Sequence, residues 1–317
     1  QYWNYRNTPY VVSQNTGGYV EIPDLLDSLH SIARAAEGEA YLARLALVAK
    51  IIDNGTGEQR AQAARGFLAP DWSIDLTLGQ MRKLRSPAPE ANTMADSIAR
   101  RTAEKTIAGD WRSRAAKIVG DSIYPALDRQ IALMEQLKPA TKPGDGAWRL
   151  PQGDAIYAAA LAQATTTNFT PDEVHNMGLD QVAEITGRLD AILEKTGYTK
   201  GTVGERLAAL NTAPAQLYAN TDDGRTQLIA DLNLGVKAMY AKLPTAFATI
   251  PTQPLEIRRV PPEIQDGASN GYYKRASLDG SRPAIYFINL KDVGDWPKYS
   301  LPSLTYHEGV PGHHLQI

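Results

Sequence analysis

Three of the chain's five histidines, His307, His313 and His314, fall within its last eleven residues, and Glu308 stands beside the first of them. Neutral imidazole is the commonest protein ligand for zinc, and a catalytic zinc site wants about three protein ligands plus an open position for water. A carboxylate next to the first ligand is suited to general-base work. These residue types point to metal-assisted hydrolysis, with Glu308 as the base and two of the three histidines as ligands. The spacing is not the familiar one. In H-E-x-x-H two histidines four apart share a helix face, whereas position 311 here is Pro311, which interrupts helical hydrogen bonding. The inverted H-x-x-E-H order is absent too. On a straight helix His314 lies about 20° from His307 but roughly 10 Å further along, and His313 is about 120° away. A break at Pro311-Gly312 would bring one of them back toward His307, since glycine permits unusual backbone angles. Which of the two returns stays open at this level.

Such a cluster needs elements to hold it. From about residue 23 to residue 243, apolar residues recur three and four apart between short Gly/Pro breaks, the pattern of packed amphipathic helices. The clearest helix runs from Thr170 to about Thr196, where Thr170, Pro171 and Glu173 form a capping box and Gly197 provides the C-terminal stop. Segments 110–137 and 221–243 share the period, while 87–92 and 138–146 read as loops. After Pro244 come three runs rich in β-branched and aromatic residues: LEIRRV (255–260), GYYKRAS (271–277) and PAIYFINL (283–290), with turn chemistry at Asp279-Gly280. The pattern turns helical again near Leu301, and this last helix carries the histidines. The fold class is therefore mainly α, a multi-helix assembly with a small antiparallel sheet before the active-site helix. The organisation it implies is a helical domain over 1–243 and a sheet-plus-helix region over 244–317.

Composition narrows the partners. The 317 residues are 43% hydrophobic and 21% charged, and 33 Lys plus Arg stand against 35 Asp plus Glu, so no net field favours nucleic acid or an anionic surface. No apolar run reaches the roughly 20 residues of a membrane span. With no cysteine, any metal must be held by His and carboxylates. Asp292 or Asp295 can serve as a ligand only if their loop folds back on the motif.

The strand PAIYFINL, placed just before the His-Glu helix, is positioned to pair an extended peptide along an edge. Tyr286 and Asn289 on it, with Tyr273 and Arg282 before it, are the candidate substrate contacts, Arg being suited to bidentate binding of a carboxylate. The plain alternatives are strand packing for the tyrosines and a solvated turn for Arg282. His30 and His175 sit singly in helical stretches and receive no role.

The segment Tyr306-His307-Glu308-Gly309-Val310-Pro311-Gly312-His313-His314-Leu315-Gln316 resembles the YHEGxPGHHLQ signature of the bacterial "domain of unknown function 885" family. Further matches are Trp148 to Pro151 with Gly153 and Tyr157, Thr165 to Thr167, Thr170-Pro171 with Glu173, His175 and Gly178, Glu256 to Arg258, Tyr272-Tyr273, and Asp279 to Pro283. The resemblance implies a mostly helical, zincin-like hydrolase similar to the helical oligopeptidase and carboxypeptidase groups, exported or lipid-anchored. It also implies a segment beyond the signature, of the form E-G-W-x-x-Y-x-E, that supplies an acidic third ligand. That segment is absent here, so the chain is expected to be a piece of a longer protein whose missing C-terminal portion completes the zinc site, and to be inactive by itself. The expected activity is zinc-dependent hydrolysis of a peptide or small amide. Its rivals are hydrolysis of a non-peptide amide or ester by the same site, and a non-catalytic helical binding module with a vestigial one.

Overall fold

The computed structural model describes residues 10–317 apart from 143, 263, 267, 278, 279 and 281. Helical periodicity is realised as α1 (Gly18–Asp24), α2 (Ala35–Leu45), α3 (Val48–Ala64), α4 (Asp71–Arg85), α5 (Thr93–Glu104), α6 (Trp111–Ile118), α7 (Tyr124–Leu137), α8 (Gly153–Thr165), α9 (Pro171–Lys195), α10 (Val203–Asn211) and α11 (Asp222–Lys242). Three strands follow, β1 (Leu255–Arg259), β2 (Gly271–Lys274) and β3 (Ala284–Ile288), and then α12 (Leu301–Glu308) and α13 (His313–Gln316). The fold is mainly α, as the periodicity requires.

Contacts divide the chain into two units, Gln1–Ala160 with Pro261–Ala268, and Leu161–Val260 with Ser269–Ile317. The change of texture near 243/244 marks the onset of strands, whereas the units divide at 160/161, inside α8.

The first unit is built on a core that includes Leu26, Tyr41, Leu45, Ile52, Met81, Ile98, Ile123 and Leu127, all wholly enclosed. Its helices begin where local chemistry permits. Asn92 caps α5 by accepting from the Met94 N–H (3.0 Å) while its own amide donates to the Leu84 carbonyl (2.9 Å). A π-helical turn, Leu25–Leu29, continues α1, and a second, Val119–Ile123, joins α6 to α7. Such turns are uncommon and recur at functional sites.

In the second unit α9 begins and ends where the sequence dictates. The Glu173 N–H donates to Thr170 Oγ1 (3.2 Å), the Thr170 N–H donates to Glu173 Oε2 (2.7 Å), and Gly197 takes a φ of 91° beyond the last turn. On α11, Leu228, Leu232 and Val236 recur at four-residue spacing and join a core with Ile257, Tyr286, Ile288 and Leu301.

The sheet runs in the order β1-β3-β2. β2 pairs antiparallel with β3, from Gly271 opposite Ile288 to Lys274 opposite Ile285, but β1 pairs parallel with it, from Leu255 opposite Ala284 to Arg259 opposite Ile288. The sheet is therefore mixed, a correction to the antiparallel reading. Parallel pairing needs a connection long enough to return the chain to the same end, and residues 260–283 supply it. A second correction concerns β3. It is the central strand, flanked on both sides and buried at all five positions, so it has no free edge for a peptide. Asp279 of the expected Asp279-Gly280 turn lies outside the described residues.

Candidate metal centre

α12 ends at Glu308 because the next four residues cannot continue it. The Gly309 N–H still reaches the Thr305 carbonyl (2.8 Å), but the chain then loops back, and the Gly312 N–H donates to the Tyr306 carbonyl (2.8 Å) across the helix end. This crossing requires glycine. A Cβ at position 312 would lie 1.9 Å from the His307 carbonyl oxygen and 2.5 Å from that of Tyr306. α13 starts immediately after, and the six-residue separation of His307 and His313 is absorbed by the loop instead of by helical pitch.

The result is a compact donor set. One ligand atom each from His307, Glu308 and His313 lies within 4.8 Å of the others. The two imidazole rings meet edge to face at 4.8 Å, and His313 Nε2 is 3.8 Å from Glu308 Oε2. Glu308 is buried, His307 is exposed and His313 is intermediate. His313 Nδ1 is buried with no hydrogen-bond partner among the described residues, and a buried ring nitrogen left so is unfavourable unless something binds it. Two imidazoles, one of them with an unpartnered nitrogen, and a carboxylate are a donor set that suits zinc.

His314 points elsewhere. Its Nε2–H donates to the Gln253 carbonyl (3.0 Å), and its Nδ1 accepts from the Tyr273 hydroxyl (3.0 Å). Both nitrogens are thus committed in the neutral ring, which also meets Tyr240 edge to face at 6.1 Å. Burial lowers its pKa, with the Gln253 hydrogen bond opposing. The structure therefore gathers His307, Glu308 and His313 and leaves His314 to anchor Tyr273.

Tyr273 lies on β2, its ring 6.0 Å from that of His313. Burial raises its pKa, and the charge of Arg282 pulls it down. Arg282 itself donates from its guanidinium to the Pro283 carbonyl (3.1 Å). Of the four candidates, Tyr273 touches the cluster and Arg282 lies close enough for its charge to act on Tyr273, while the other two are taken up in packing and in closing the strand. Tyr286 is wholly enclosed in the core. Its hydroxyl, buried without a well-formed hydrogen bond, adjoins Thr305, and burial followed by the Glu308 charge raises its pKa. Asn289 closes the end of β3: its carbonyl accepts from Trp296 Nε1 (2.6 Å) and its side chain from the Lys291 N–H (3.1 Å). Neither Asp292 nor Asp295 joins the cluster among the described residues; Asp292 Oδ1 instead accepts from the Gly294 N–H (2.8 Å). Tyr240 and the Gln253 carbonyl carry no sequence signal that marks them as neighbours of the histidines.

The chain matches, over residues 1–317, the family described as "Bacterial protein of unknown function (DUF885)". Among solved structures it is similar to that of a candidate lipoprotein from Colwellia psychrerythraea, with 33% identity and a TM-score of 0.86. The match covers 97% of this chain and 53% of that one, so the chain spans about half the length of that protein. No curated protein matches the chain.

Proposed function

We propose that this chain, which belongs to the bacterial protein family of unknown function DUF885, carries the metal-binding and general-base residues of a zinc-dependent hydrolase acting on peptides or small amides. The observation that carries the reading is the convergence of His307, Glu308 and His313 through a glycine loop although their spacing departs from H-E-x-x-H, with His313 Nδ1 buried and unpartnered. In this reading His307 and His313 hold the ion, which supplies Lewis-acid polarisation of a carbonyl and makes water more acidic. Glu308 takes a proton at its carboxylate from the attacking water and returns it to the departing amine. Its burial keeps bulk water from competing for that proton. Tyr273, held by His314, and Arg282 orient the substrate beside the cluster. A catalytic zinc has about three protein ligands, and His307 and His313 are two of them. An extracytoplasmic location is proposed from the lipoprotein description of the similar structure; among the described residues no helix is long and apolar enough to cross a membrane.

The test is zinc content together with turnover of a peptide library by the full protein and by Glu308→Gln. The reading expects zinc retained and turnover lowered about 10²- to 10⁴-fold in the variant. Near-normal turnover in it, or hydrolysis of esters alone, would reject the peptidase assignment.

A further inference from the structure

α9 is the longest helix among the described residues, and it is nearly bare. Of its 25 residues, all of them described, Leu193 alone is buried. Its apolar and small residues are nevertheless in register. Val174, Gly178, Val182, Ile185, Leu189 and Ile192 follow one another at intervals of four, four, three, four and three. That spacing gathers them on one helix face and, from Gly178 onward, is the repeat of a seam between packed helices. Val182 is 63% exposed, Ile185 49% and Ile192 56%. A helix in water turns such a face to a partner, because packing of that face supplies most of its stability.

The rest of the described chain leaves the seam open. α10 meets the last turns of α9 from another side, where the Arg206 guanidinium donates to the Asp190 carboxylate; on a helix Asp190 stands about 120° round from the middle of the seam. α8 shows the same want of cover. In its thirteen residues Asp154 is the one charge, yet only Gly153 and Ile156 are buried and Tyr157 is largely exposed. A helix so evenly apolar belongs in an interior.

Charge and length say what covers the seam. Within 171–195 six acidic residues stand against Arg188 and Lys195, the wrong sign for an anionic membrane surface. The Colwellia structure, which this chain matches with a TM-score of 0.86, has nearly as much chain outside the matched 53% as within it. We propose that the seam of α9 is a docking surface for polypeptide of the same protein outside residues 1–317, which lays an apolar helix along Val182, Ile185, Leu189 and Ile192. The proposal stands apart from the metal assignment.

Single cysteines in the full-length protein test it, with each modified site quantified by mass spectrometry; residues 1–317 hold no native cysteine. Val182→Cys and Ile185→Cys on the seam should react with a maleimide about tenfold or more slowly than Asp180→Cys and Ala191→Cys on the opposite face, because labelling of a covered site waits on local opening. The difference should persist on dilution. Gln181→p-benzoylphenylalanine, at the edge of the seam, identifies the occupant on irradiation: a cross-link to a peptide outside residues 1–317 of the same chain is expected. Equal rates at the four sites, rates that converge on dilution, or cross-linking that never reaches such a peptide would overturn the proposal; the second result would assign the face to another copy of the chain.

Discussion

Replacing His313 and His314 separately by alanine should divide two properties that adjacent residues would otherwise share. His314 is 5% exposed and makes two hydrogen bonds, to the Gln253 carbonyl and from the Tyr273 hydroxyl, each 3.0 Å. Each bond contributes about 1 kcal/mol net. Gln253 is exposed and Tyr273 half-buried, so both partners rehydrate in the variant and the larger penalty for orphaned groups does not apply. Loss of the ring's packing against Tyr240 adds about 1 kcal/mol, at the mild end of large-to-small replacements because the site lies near solvent. The total, about 3 kcal/mol, corresponds to a fall of roughly 6–12 °C in melting temperature for a domain of this size. His313, with a side chain 31% exposed and Nδ1 already unpartnered, should change metal-free stability by no more than about 0.5 kcal/mol. Zinc affinity should move the other way. His313→Ala should lose more than the roughly 10- to 100-fold that supporting partners of a ligand control, and His314→Ala should stay within that range. Thermal melts of the metal-free proteins and competition with a chromogenic chelator read the two quantities. A His313→Ala protein that keeps wild-type zinc affinity while His314→Ala abolishes it would refute the assignment.

Three other outcomes follow from the same geometry. Glu308→Gln should lower turnover about 10²- to 10⁴-fold with zinc still bound, measured by peptide cleavage beside metal analysis. Gly312→Ala places a Cβ 1.9 Å from a backbone oxygen and must reopen the loop that returns His313, so zinc affinity should drop although no ligand is removed; unchanged affinity would show the loop to be dispensable. His30 is neutral in the fold: its Nε2–H donates to the Glu37 carbonyl (2.8 Å) and its Nδ1 accepts from Arg44. Burial foremost, with the Arg44 and Arg101 charges, lowers its pKa. The unfolded state then binds more protons than the native one, so the stability tied to His30 is present above its unfolded pKa of about 6.5 and is lost as pH falls below it. Denaturant titrations across that range should show His30→Gln with a shallower acid-side decline than the wild type.

Much of the fold was legible because its signals are local. The limits of α9 follow from Thr170, Glu173 and Gly197, which satisfy the helix ends within a few residues of chain. The three strand segments were legible from composition, but their arrangement was not. Whether β1 runs parallel to β3 depends on the path of residues 260–283, which no window of sequence contains. The central position of β3 did leave a trace: Ala284 to Phe287 with Ile288 form an unbroken apolar run, which is the pattern of a strand covered on both faces, and reading it as an edge put Tyr286 at the substrate instead of in the core. At the site the residue types were legible and the geometry was not. Helix pitch alone can only say that neither His313 nor His314 returns to His307, and the choice is made by the hydrogen bond from Gly312 to Tyr306 together with the capture of His314 by Gln253 and Tyr273.

The central claim, that His307 and His313 form the metal-binding pair of a hydrolase, is tested most directly by the zinc stoichiometry of the full protein and of a His307→Ala/His313→Ala double variant after dialysis against limiting zinc, with peptide turnover assayed on the same samples. The account predicts one tightly held zinc per wild-type chain, none in the double variant, and turnover in the wild type alone. A double variant that keeps stoichiometric zinc, or that cleaves peptide at the wild-type rate, would contradict it.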